Sequence, residues 1–382
     1  MDMAVISGFI EIFSWTAIGL LSLFTVRRLV VLFAALLPAR KHKPGHEPSV
    51  AVIVSVLNEE ENLPGLLKSL AELEYPQEKI SFTLVDDCSG DRTSPIIQEW
   101  VRGRSNALHL AMTRNMGKAE ALNQALSAAP PSEIAAVYDA DLRPHPASLH
   151  ILAGAFEDKR IAAASGFRRP SNPGAGPVAA YGALESLIHQ LITQAGKDRL
   201  RLNPATMGGN CVYRRSALRQ AGGFPPGAFS EDIETSLAFV SAGWRTTFRV
   251  NAVADCLLVD SLRRYWNQRC RWTRGLYRSG RHAAGLESWL VSAGYADRLV
   301  FVASLVMAAN GYMSLIWPAI YCVGAMASVP AALWRAGVGC KVAGRVLLSI
   351  LSMFAVDVAV TAVATLNGVL GRKQTWSTGR RP

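Results

Sequence analysis

The amino-acid sequence of 382 residues predicts an α/β fold with a mostly parallel β-sheet, flanked by transmembrane helices. From Ser49 onward, short apolar runs alternate with helix-forming segments, which is typical of parallel strands joined by helices. Near both ends of the chain, apolar stretches exceed the roughly 20 residues that a helix needs to cross a bilayer. Half of the residues are apolar and 18% are charged, a balance that favours a membrane protein.

Three stretches are long and apolar enough to be membrane helices, at about 3–37, about 299–326 and about 346–370. The first contains Arg27 and Arg28, and it is too long and too charged for a cleaved signal peptide. Asn310 and Pro318 interrupt the second and Asp357 interrupts the third, so both are interpreted as membrane helices with polar interruptions. The predicted organisation is a transmembrane region over 1–43, a central domain over 44–280, and an interfacial segment with two or three membrane segments over 281–382.

Basic residues near the span ends predict the orientation, because such residues stay on the cytoplasmic side. With three spans, the basic run over 40–43 and the basic tail over 372–381 both lie inside, which places residues 44–298 in the cytoplasm. We therefore expect an integral protein of a bacterial inner membrane whose central domain is cytoplasmic. Arg335, Lys341 and Arg345 then lie on the outer side, a conflict that a re-entrant or interfacial segment would remove.

The net charge of +11 is compatible with two classes of partner, nucleic acid and a membrane surface. Much of the basic charge flanks the predicted spans, where it meets anionic lipid. We therefore expect membrane lipids, and no nucleic acid, among the partners.

Strands in the central domain are predicted at 49–56, 81–87, 106–112, 134–141 and 161–167. Ligands of such sheets bind at the carboxyl ends of the strands. Polar clusters follow four of these strands, at 58–61, at Asp86 and Asp87, at 115–118, and at Asp139 and Asp141. The stretch 168–177, rich in Pro and Gly, breaks the pattern and is a candidate mobile element before a long helix over about 179–199.

The aspartate pairs each have a chemical and a structural interpretation. The i, i+2 spacing of Asp139 and Asp141 lets both carboxylates approach one hard cation, and Mg²⁺ or Mn²⁺ suits such a pair when substrate phosphates complete the shell. Capping of the next helix is the alternative. Asp86 and Asp87 can accept hydrogen bonds from a base or a ribose, or they can simply form a turn with the Ser, Gly and Asp that follow.

Three further segments carry charge at the ends or on the faces of helices. Lys118 precedes a helix, where it can add to the field that holds a phosphate, or it is an ordinary solvated lysine. Glu231 and Asp232 begin a helix, so helix capping is the alternative to a general base. Residues 268, 271 and 272, which are Gln, Arg and Trp, share one helical face, and an interfacial amphipathic helix is the alternative there.

Taken together and in this order, these segments resemble glycosyltransferase family 2, and specifically its membrane-embedded branch. That branch includes cellulose, chitin-oligosaccharide, poly-N-acetylglucosamine and hyaluronan synthases. The resemblance covers about residues 50–275. It rests on the motifs VSVLNEEENL, LVDDCSGDRT, GKAEALNQAL, YDADLRPHPASL, GGNCVYRRSAL, SEDIETSLAFVSAGW and QRCRW.

The resemblance implies a GT-A nucleotide-sugar-binding domain and an inverting, metal-dependent transfer of a hexose or N-acetylhexosamine from a UDP-sugar donor. The implied acceptor is a growing β-linked glycan, and the alternative is a membrane lipid of the ceramide or diacylglycerol type. A catalytically silent scaffold is less favoured, because every acidic residue expected by the resemblance is present. Since a sealed polymer channel needs more helices than the tail provides, a partner subunit or a homo-oligomer is expected with a glycan acceptor.

The resemblance also implies the site residues. Asp232 is the general base, and Mg²⁺ or Mn²⁺ is held by Asp139 and Asp141, with Asp141 in direct contact. The donor is bound by Asn58, Glu59, Asp86, Asp87, Lys118 and Asp139. The acceptor and the diphosphate are bound by Glu231, Gln268, Arg271 and Trp272, the last three of which match the QxxRW signature.

Overall fold

The computed structural model describes residues 3–39, 46–228, 230–280 and 296–370. The described residues fall into two compact units. The sheet unit contains Ala39–Ser171 and Arg201–Leu258, and the helical unit contains Met1–Pro38, Asn172–Leu200 and Val259–Pro382. The division differs from the continuous central domain predicted over 44–280, because residues 172–200 and 259–280 pack with the long apolar helices and not with the sheet.

The sheet unit contains one eight-stranded sheet of order β3-β2-β1-β4-β7-β6-β8-β5. Its strands are β1 Val50–Val56, β2 Ile80–Asp86, β3 Ala107–Ala111, β4 Ile134–Val137, β5 Leu142–Pro144, β6 Ile161–Pro170, β7 Cys211–Arg214 and β8 Arg245–Cys256. The pairs β1–β2, β1–β4, β2–β3 and β6–β8 are parallel, and β4–β7, β6–β7 and β5–β8 are antiparallel.

Helices cover both faces of this sheet. They are α2 Leu63–Ala71, α3 Thr93–Val101, α4 Lys118–Ala128, α5 Ser148–Ala153, α8 Arg215–Gln220 and α9 Glu231–Ser241, with short 3₁₀ turns at Gln77–Lys79 and Gly154–Glu157. One core layer packs Val52 and Val54 of β1 against Leu66 of α2. The other layer packs Ile53 of the same strand against Leu122 of α4, as expected for a strand that is buried on both faces.

The predicted α/β class with a mostly parallel sheet is confirmed. The first three predicted strands lie within one residue of their observed positions. The fourth strand, predicted over 134–141, ends at Val137. The chain turns after this residue, and the next strand, Leu142–Pro144, pairs with β8 and not with the neighbours of β4. The strands β7 and β8 were not predicted, since β7 has only four residues and β8 carries several polar side chains.

The helical unit consists of α1 Met3–Leu36, α6 Pro177–Leu187, a π-helical segment Ile188–Gln194, α7 Ala195–Leu200, α10 Leu262–Gly280, α11 Ala296–Ala309, α12 Ile316–Arg335 and α13 Cys340–Val369. Among the described residues, three helical stretches are long and apolar enough to cross a membrane, namely Gly8–Leu36, Ile316–Arg335 and Cys340–Asn367. The predicted basic runs at 40–43 and 372–381 lie outside the described residues, so the predicted orientation stays a prediction.

The prediction of one helix over 299–326 was wrong. The chain leaves the helical conformation after Ala309, and Gly311 has a φ of 76°, which no residue inside a right-handed helix adopts. The apolar segment is therefore divided between α11 and α12, and the candidate span begins at Ile316.

Two basic residues of the apolar segments have partners within the helical unit. Arg28 of α1 forms an ion pair with Asp297 of α11 and donates a hydrogen bond to the Tyr321 hydroxyl, 3.0 Å away. Arg335, one of the residues that conflicted with the predicted orientation, donates to the carbonyl oxygen of Ala35 at 2.7 Å. Each of these two half-buried arginines thus has at least one polar partner on another helix of the unit.

Candidate active site

Loops at the carboxyl ends of β1 and β2 are tied to each other. The Asn58 backbone N–H donates to the Ser89 hydroxyl at 2.9 Å, and its side-chain oxygen accepts from the Gly90 N–H at 2.8 Å. Asp86 accepts the Ser89 N–H at 3.0 Å, so it joins the same network. Asn58 has a φ of 54°, a left-handed conformation that Asn adopts more readily than most residues and that these hydrogen bonds stabilise.

Glu59 and Asp87 are both almost fully buried, at 3% exposure. The Glu59 N–H donates to Thr93 at 2.8 Å, and its carboxylate accepts from the Asn62 amide at 3.0 Å. The two carboxylate oxygens of Asp87 accept the backbone N–H groups of Met116 and Gly117, at 2.7 and 2.9 Å. Asp87 therefore fixes the loop that begins α4, a structural role that the sequence did not indicate.

Lys118, the first residue of α4, joins two further elements. Its ammonium Nζ lies 2.8 Å from Asp139 Oδ1, after β4, and 2.8 Å from Glu231 Oε1, at the start of α9. Burial alone would lower the pKa of Lys118, but the two carboxylates raise it, so the side chain stays charged. The structure thus brings together three residues that are far apart in the sequence.

The remaining carboxylates of this cluster have raised pKa values. Burial, and next the negative charge of Asp139, raise the pKa of Asp141 to about 6. Burial, and next the negative charge of Glu231, raise the pKa of Asp232 to about 7. Asp232 also accepts the N–H of Ile233 at 2.8 Å, so the capping interpretation and a proton-accepting role are compatible in this residue.

Gly208 and Gly209 form a wall of the cluster, and their backbone approaches the carboxylates closely. A Cβ placed on Gly209 would lie 2.7 Å from Asp139 Oδ2 and 2.6 Å from Leu142 Cδ1. A Cβ placed on Gly208 would lie 3.3 Å from Asp232 Oδ2, and Gly208 has a φ of 78°. Only residues without side chains fit both positions.

Arg168 belongs to the cluster and was missed by the sequence reasoning. Its positive charge lowers the pKa of Asp141 and of Asp232 against the larger effect of burial, so Arg168 acts electrostatically on both. The next residue of β6, Arg169, pairs instead with Asp255 at 2.6 Å, as expected when successive side chains of a strand point to opposite faces. The signal was present, because Arg168 follows the fifth predicted strand at its carboxyl end.

Asp139 and Asp141 are compatible with a divalent cation. The described residues contain no group of three or more His, Cys, Asp or Glu side chains that would hold a metal alone. Two carboxylates completed by substrate phosphate oxygens are nevertheless sufficient for Mg²⁺. Burial, and next the negative charge of Asp139, raise the pKa of Asp141, and a bound cation would offset that negative charge.

Gln268, Arg271 and Trp272 lie on α10, in the helical unit and not in the sheet unit. Arg271 is exposed, whereas Gln268 and Trp272 are half-buried. The helix itself and the shared face are as predicted. Their roles toward a substrate stay predictions.

Residues 51–222 match the family profile described as Glycosyl transferase family 2. The beta-monoglucosyldiacylglycerol synthase of Trichormus variabilis is 26% identical over 273 residues, which are 70% of this chain and 58% of that protein. The poly-beta-1,6-N-acetyl-D-glucosamine synthase of Staphylococcus aureus is 25% identical over 231 residues, which are 59% of this chain and 54% of that protein. The chain thus spans a little over half the length of these relatives.

Among solved structures, the fold is similar to that of a mannosyltransferase from Pyrobaculum calidifontis in complex with GDP-Man and Mn²⁺. The TM-score is 0.64 at 20% sequence identity, and the match covers 96% of this chain and 99% of that chain. The predicted GT-A fold class is therefore confirmed.

Replacement of Gly209 by alanine tests the close approach of the loop to Asp139. Because the added methyl group would overlap Asp139 and Leu142, we expect Gly209→Ala to lower the free energy of unfolding by roughly 1–3 kcal/mol. The thermal unfolding midpoint of the full chain measures the effect. Gly154→Ala is the matched control, since a Cβ there meets nothing within 4 Å. Equal midpoints for the two variants would contradict the close approach.

Proposed function

We propose that this chain, whose residues 51–222 match the profile described as Glycosyl transferase family 2, is an inverting, metal-dependent membrane glycosyltransferase. It moves a hexose or N-acetylhexosamine from a UDP-sugar to a growing β-linked glycan. The observation that carries the proposal is the grouping of four carboxylates with two cationic side chains at the carboxyl edge of the sheet. These are Asp139, Asp141, Glu231 and Asp232, with Lys118 and Arg168.

Asp232 is the general base of the proposed reaction. Its carboxylate accepts the proton of the acceptor hydroxyl while the acceptor oxygen forms a bond to the anomeric carbon of the donor. The bond from that carbon to the diphosphate breaks on the opposite side, and UDP leaves with the bonding electrons. A single displacement inverts the configuration and needs no covalent nucleophile. A base with a pKa of about 7 is well matched to such a proton transfer at neutral pH.

Lys118 and Arg168 stabilise the charge that develops on the departing diphosphate. Lys118 remains charged because it forms ion pairs with Asp139 and Glu231. It is also the first residue of α4, where the N–H groups of the first helical turn favour a phosphate. Asp139 and Asp141 are the residues that would hold Mg²⁺ or Mn²⁺, which when bound supplies further charge stabilisation for the diphosphate. In this proposal, the polar loops that contain Asn58, Glu59 and Asp86 bind the nucleoside of the donor.

Two acceptors remain to be compared. The glycan acceptor is supported by similarity to the poly-beta-1,6-N-acetyl-D-glucosamine synthase. A membrane lipid is the second candidate, supported by similarity to the beta-monoglucosyldiacylglycerol synthase and by the small number of candidate spans. With three candidate spans among the described residues, a glycan channel would need helices from a partner subunit or another copy.

The sheet unit faces the cytoplasm of a bacterial inner membrane in this proposal, as the basic residues near the spans predict.

Product analysis tests the proposal and separates the acceptors. Membranes containing the protein are incubated with radiolabelled UDP-glucose or UDP-N-acetylglucosamine and Mn²⁺ or Mg²⁺, and the products are partitioned into organic solvent. We expect label in a water-soluble or insoluble glycan. Label in the organic phase would establish the lipid acceptor instead. If neither donor is transferred or hydrolysed, the enzyme proposal is wrong and a silent scaffold becomes the better interpretation.

The pH dependence of kcat/KM tests the assignment of Asp232. Burial and Glu231 raise the pKa of this carboxyl to about 7, so the base is protonated and inactive at lower pH. We expect kcat/KM to rise with pH through about 7, and Asp232→Asn to lower kcat by roughly 10²- to 10⁴-fold at every pH while UDP binding is retained. An acidic limb near pH 4, or normal turnover by Asp232→Asn, would exclude Asp232 as the base.

Substitution of Arg168 tests its proposed contact with the diphosphate. We expect Arg168→Ala to weaken UDP binding roughly 10- to 100-fold, because charged hydrogen bonds are lost, and to leave uridine binding unchanged. Binding is measured by titration calorimetry with each ligand. Arg169→Ala is the matched control, since this neighbouring arginine pairs with Asp255 on the other face. Equal losses for UDP and uridine would show that Arg168 supports the fold and not the diphosphate.

A further inference from the structure

A cluster of four charged side chains joins α10 to three other helices of the helical unit. Arg269 of α10 forms an ion pair with Glu185 of α6. Arg298 of α11 lies 2.8 Å from the other oxygen of Glu185 and 2.5 Å from Asp357 Oδ2 of α13. These four residues, the four-charge cluster, balance two negative with two positive charges.

Two members of the four-charge cluster are buried, and the side chains of the other two, Arg298 and Glu185, are 21% and 15% exposed. Asp357 has no exposed surface and Arg269 is 6% exposed. The Tyr265 hydroxyl lies within hydrogen-bond reach of both acids, at 2.7 Å from Asp357 Oδ1 and 3.2 Å from Glu185 Oε2. Asp357 is the polar interruption of the last candidate span, and these contacts explain how a carboxylate is accommodated there. Replacement of one acid by a neutral side chain would leave the cluster with an unbalanced positive charge in this largely buried place, which is costly.

The helix α10 depends on carboxylates from outside its own sequence. It contains six arginines and no acidic residue. Its buried side chains Tyr265 and Cys270 pack against Val178 of α6 and against Met353 and Val360 of α13, on the side where the four-charge cluster lies. Apolar packing and ion pairing therefore hold the same face of α10.

Arg269 also contacts the QxxRW signature directly. Its guanidinium lies over the ring of Trp272, 4.9 Å from the ring centroid, and over the ring of Tyr265 at 4.8 Å. One side chain thus connects Trp272 to the carboxylates of α6 and, through Arg298, of α13. A cation above an aromatic face is a directional contact, so it fixes the orientation of Trp272 as well as its position.

We propose that Arg269 is a positioning residue, and that the four-charge cluster fixes α10 in the position and rotation that present Gln268, Arg271 and Trp272. The substrate role of those three residues rests on the proposed function, whereas the docking of α10 does not. Arg269, which directly follows Gln268 in the sequence, is then as necessary as the signature residues themselves. A charge in the last candidate span, Asp357, thus sets the orientation of α10, whose Tyr265 lies 92 residues earlier in the chain.

The accessibility of the Cys270 thiol measures the docking of α10 without any need for activity. Cys270 is buried on α10, and Cys211 is buried in β7 of the sheet unit. In the full chain, purified in detergent, the other four cysteines are replaced by serine, and labelling of the remaining two by a maleimide is followed by peptide mass spectrometry. Cys211 reports unfolding of the sheet unit, and Cys270 reports release of α10.

We expect Glu185→Gln and Asp357→Asn each to accelerate labelling of Cys270 at least about tenfold, the factor that about 1.4 kcal/mol provides, with Cys211 unchanged. The control is Arg264→Gln, which removes an arginine of the same helix from a partly exposed pair with Asp260 and should change the rate less than about twofold. The double variant Glu185→Gln/Arg269→Gln should label more slowly than Glu185→Gln, because it leaves no unpaired charge on α10.

An unchanged Cys270 rate in both single variants would overturn the proposal, and so would a parallel rise at Cys211, which would indicate general unfolding.

In active membranes, Arg269→Gln should lower kcat for transfer with the KM for the donor retained, and Arg269→Lys should recover part of it. A raised donor KM with unchanged kcat would contradict positioning. If wild-type membranes transfer no sugar, the labelling result still decides the docking of α10, so failure of the proposed function and failure of this inference are distinguishable.

Discussion

The contact on which the candidate site depends is the bridge from the Lys118 ammonium to Asp139 and Glu231. Each partner comes from a different element: the start of α4, the end of β4 and the start of α9. Three unrelated segments meet at one positive charge, and Asp87 in turn holds the loop that delivers Lys118. Because the carboxylates repel one another in a partly buried place, a cation between them is what allows the arrangement to persist.

The same principle operates in the helical unit, at a different scale. There, Arg298 lies between Glu185 and Asp357, and it joins segments that are more than 100 residues apart. Both units thus use a long cationic side chain to join carboxylates from separate helices or loops. The two bridges differ in solvent exposure. The bridge at Lys118 is half-buried, as expected of a site that receives a polar ligand, whereas Asp357 has no exposed surface.

Sequence reasoning was most successful where one physical rule acts locally. Buried parallel strands such as β1 and β2 are continuous apolar runs, and polar residues at their ends mark the ligand-binding edge. It failed where the outcome depends on contacts between distant segments. The strands β7 and β8 take their positions from partners in the sheet, and the charge of Arg168 acts on Asp141 and Asp232 only in the folded chain. Likewise, the sequence shows Asp357 only as a polar interruption of an apolar segment, since nothing near it in the sequence identifies Arg298 as its partner.

The glycine wall at 208 and 209 has a consequence for laboratory evolution of this protein. A side chain added at either glycine would meet a carboxylate within 3.3 Å, so a library of substitutions has little room at these two positions. Variation in donor preference is accessible only on walls built from side chains, such as the exposed loop of Asn58. The pair of glycines therefore divides the site into a part that selection can reshape and a part that any functional descendant inherits unchanged.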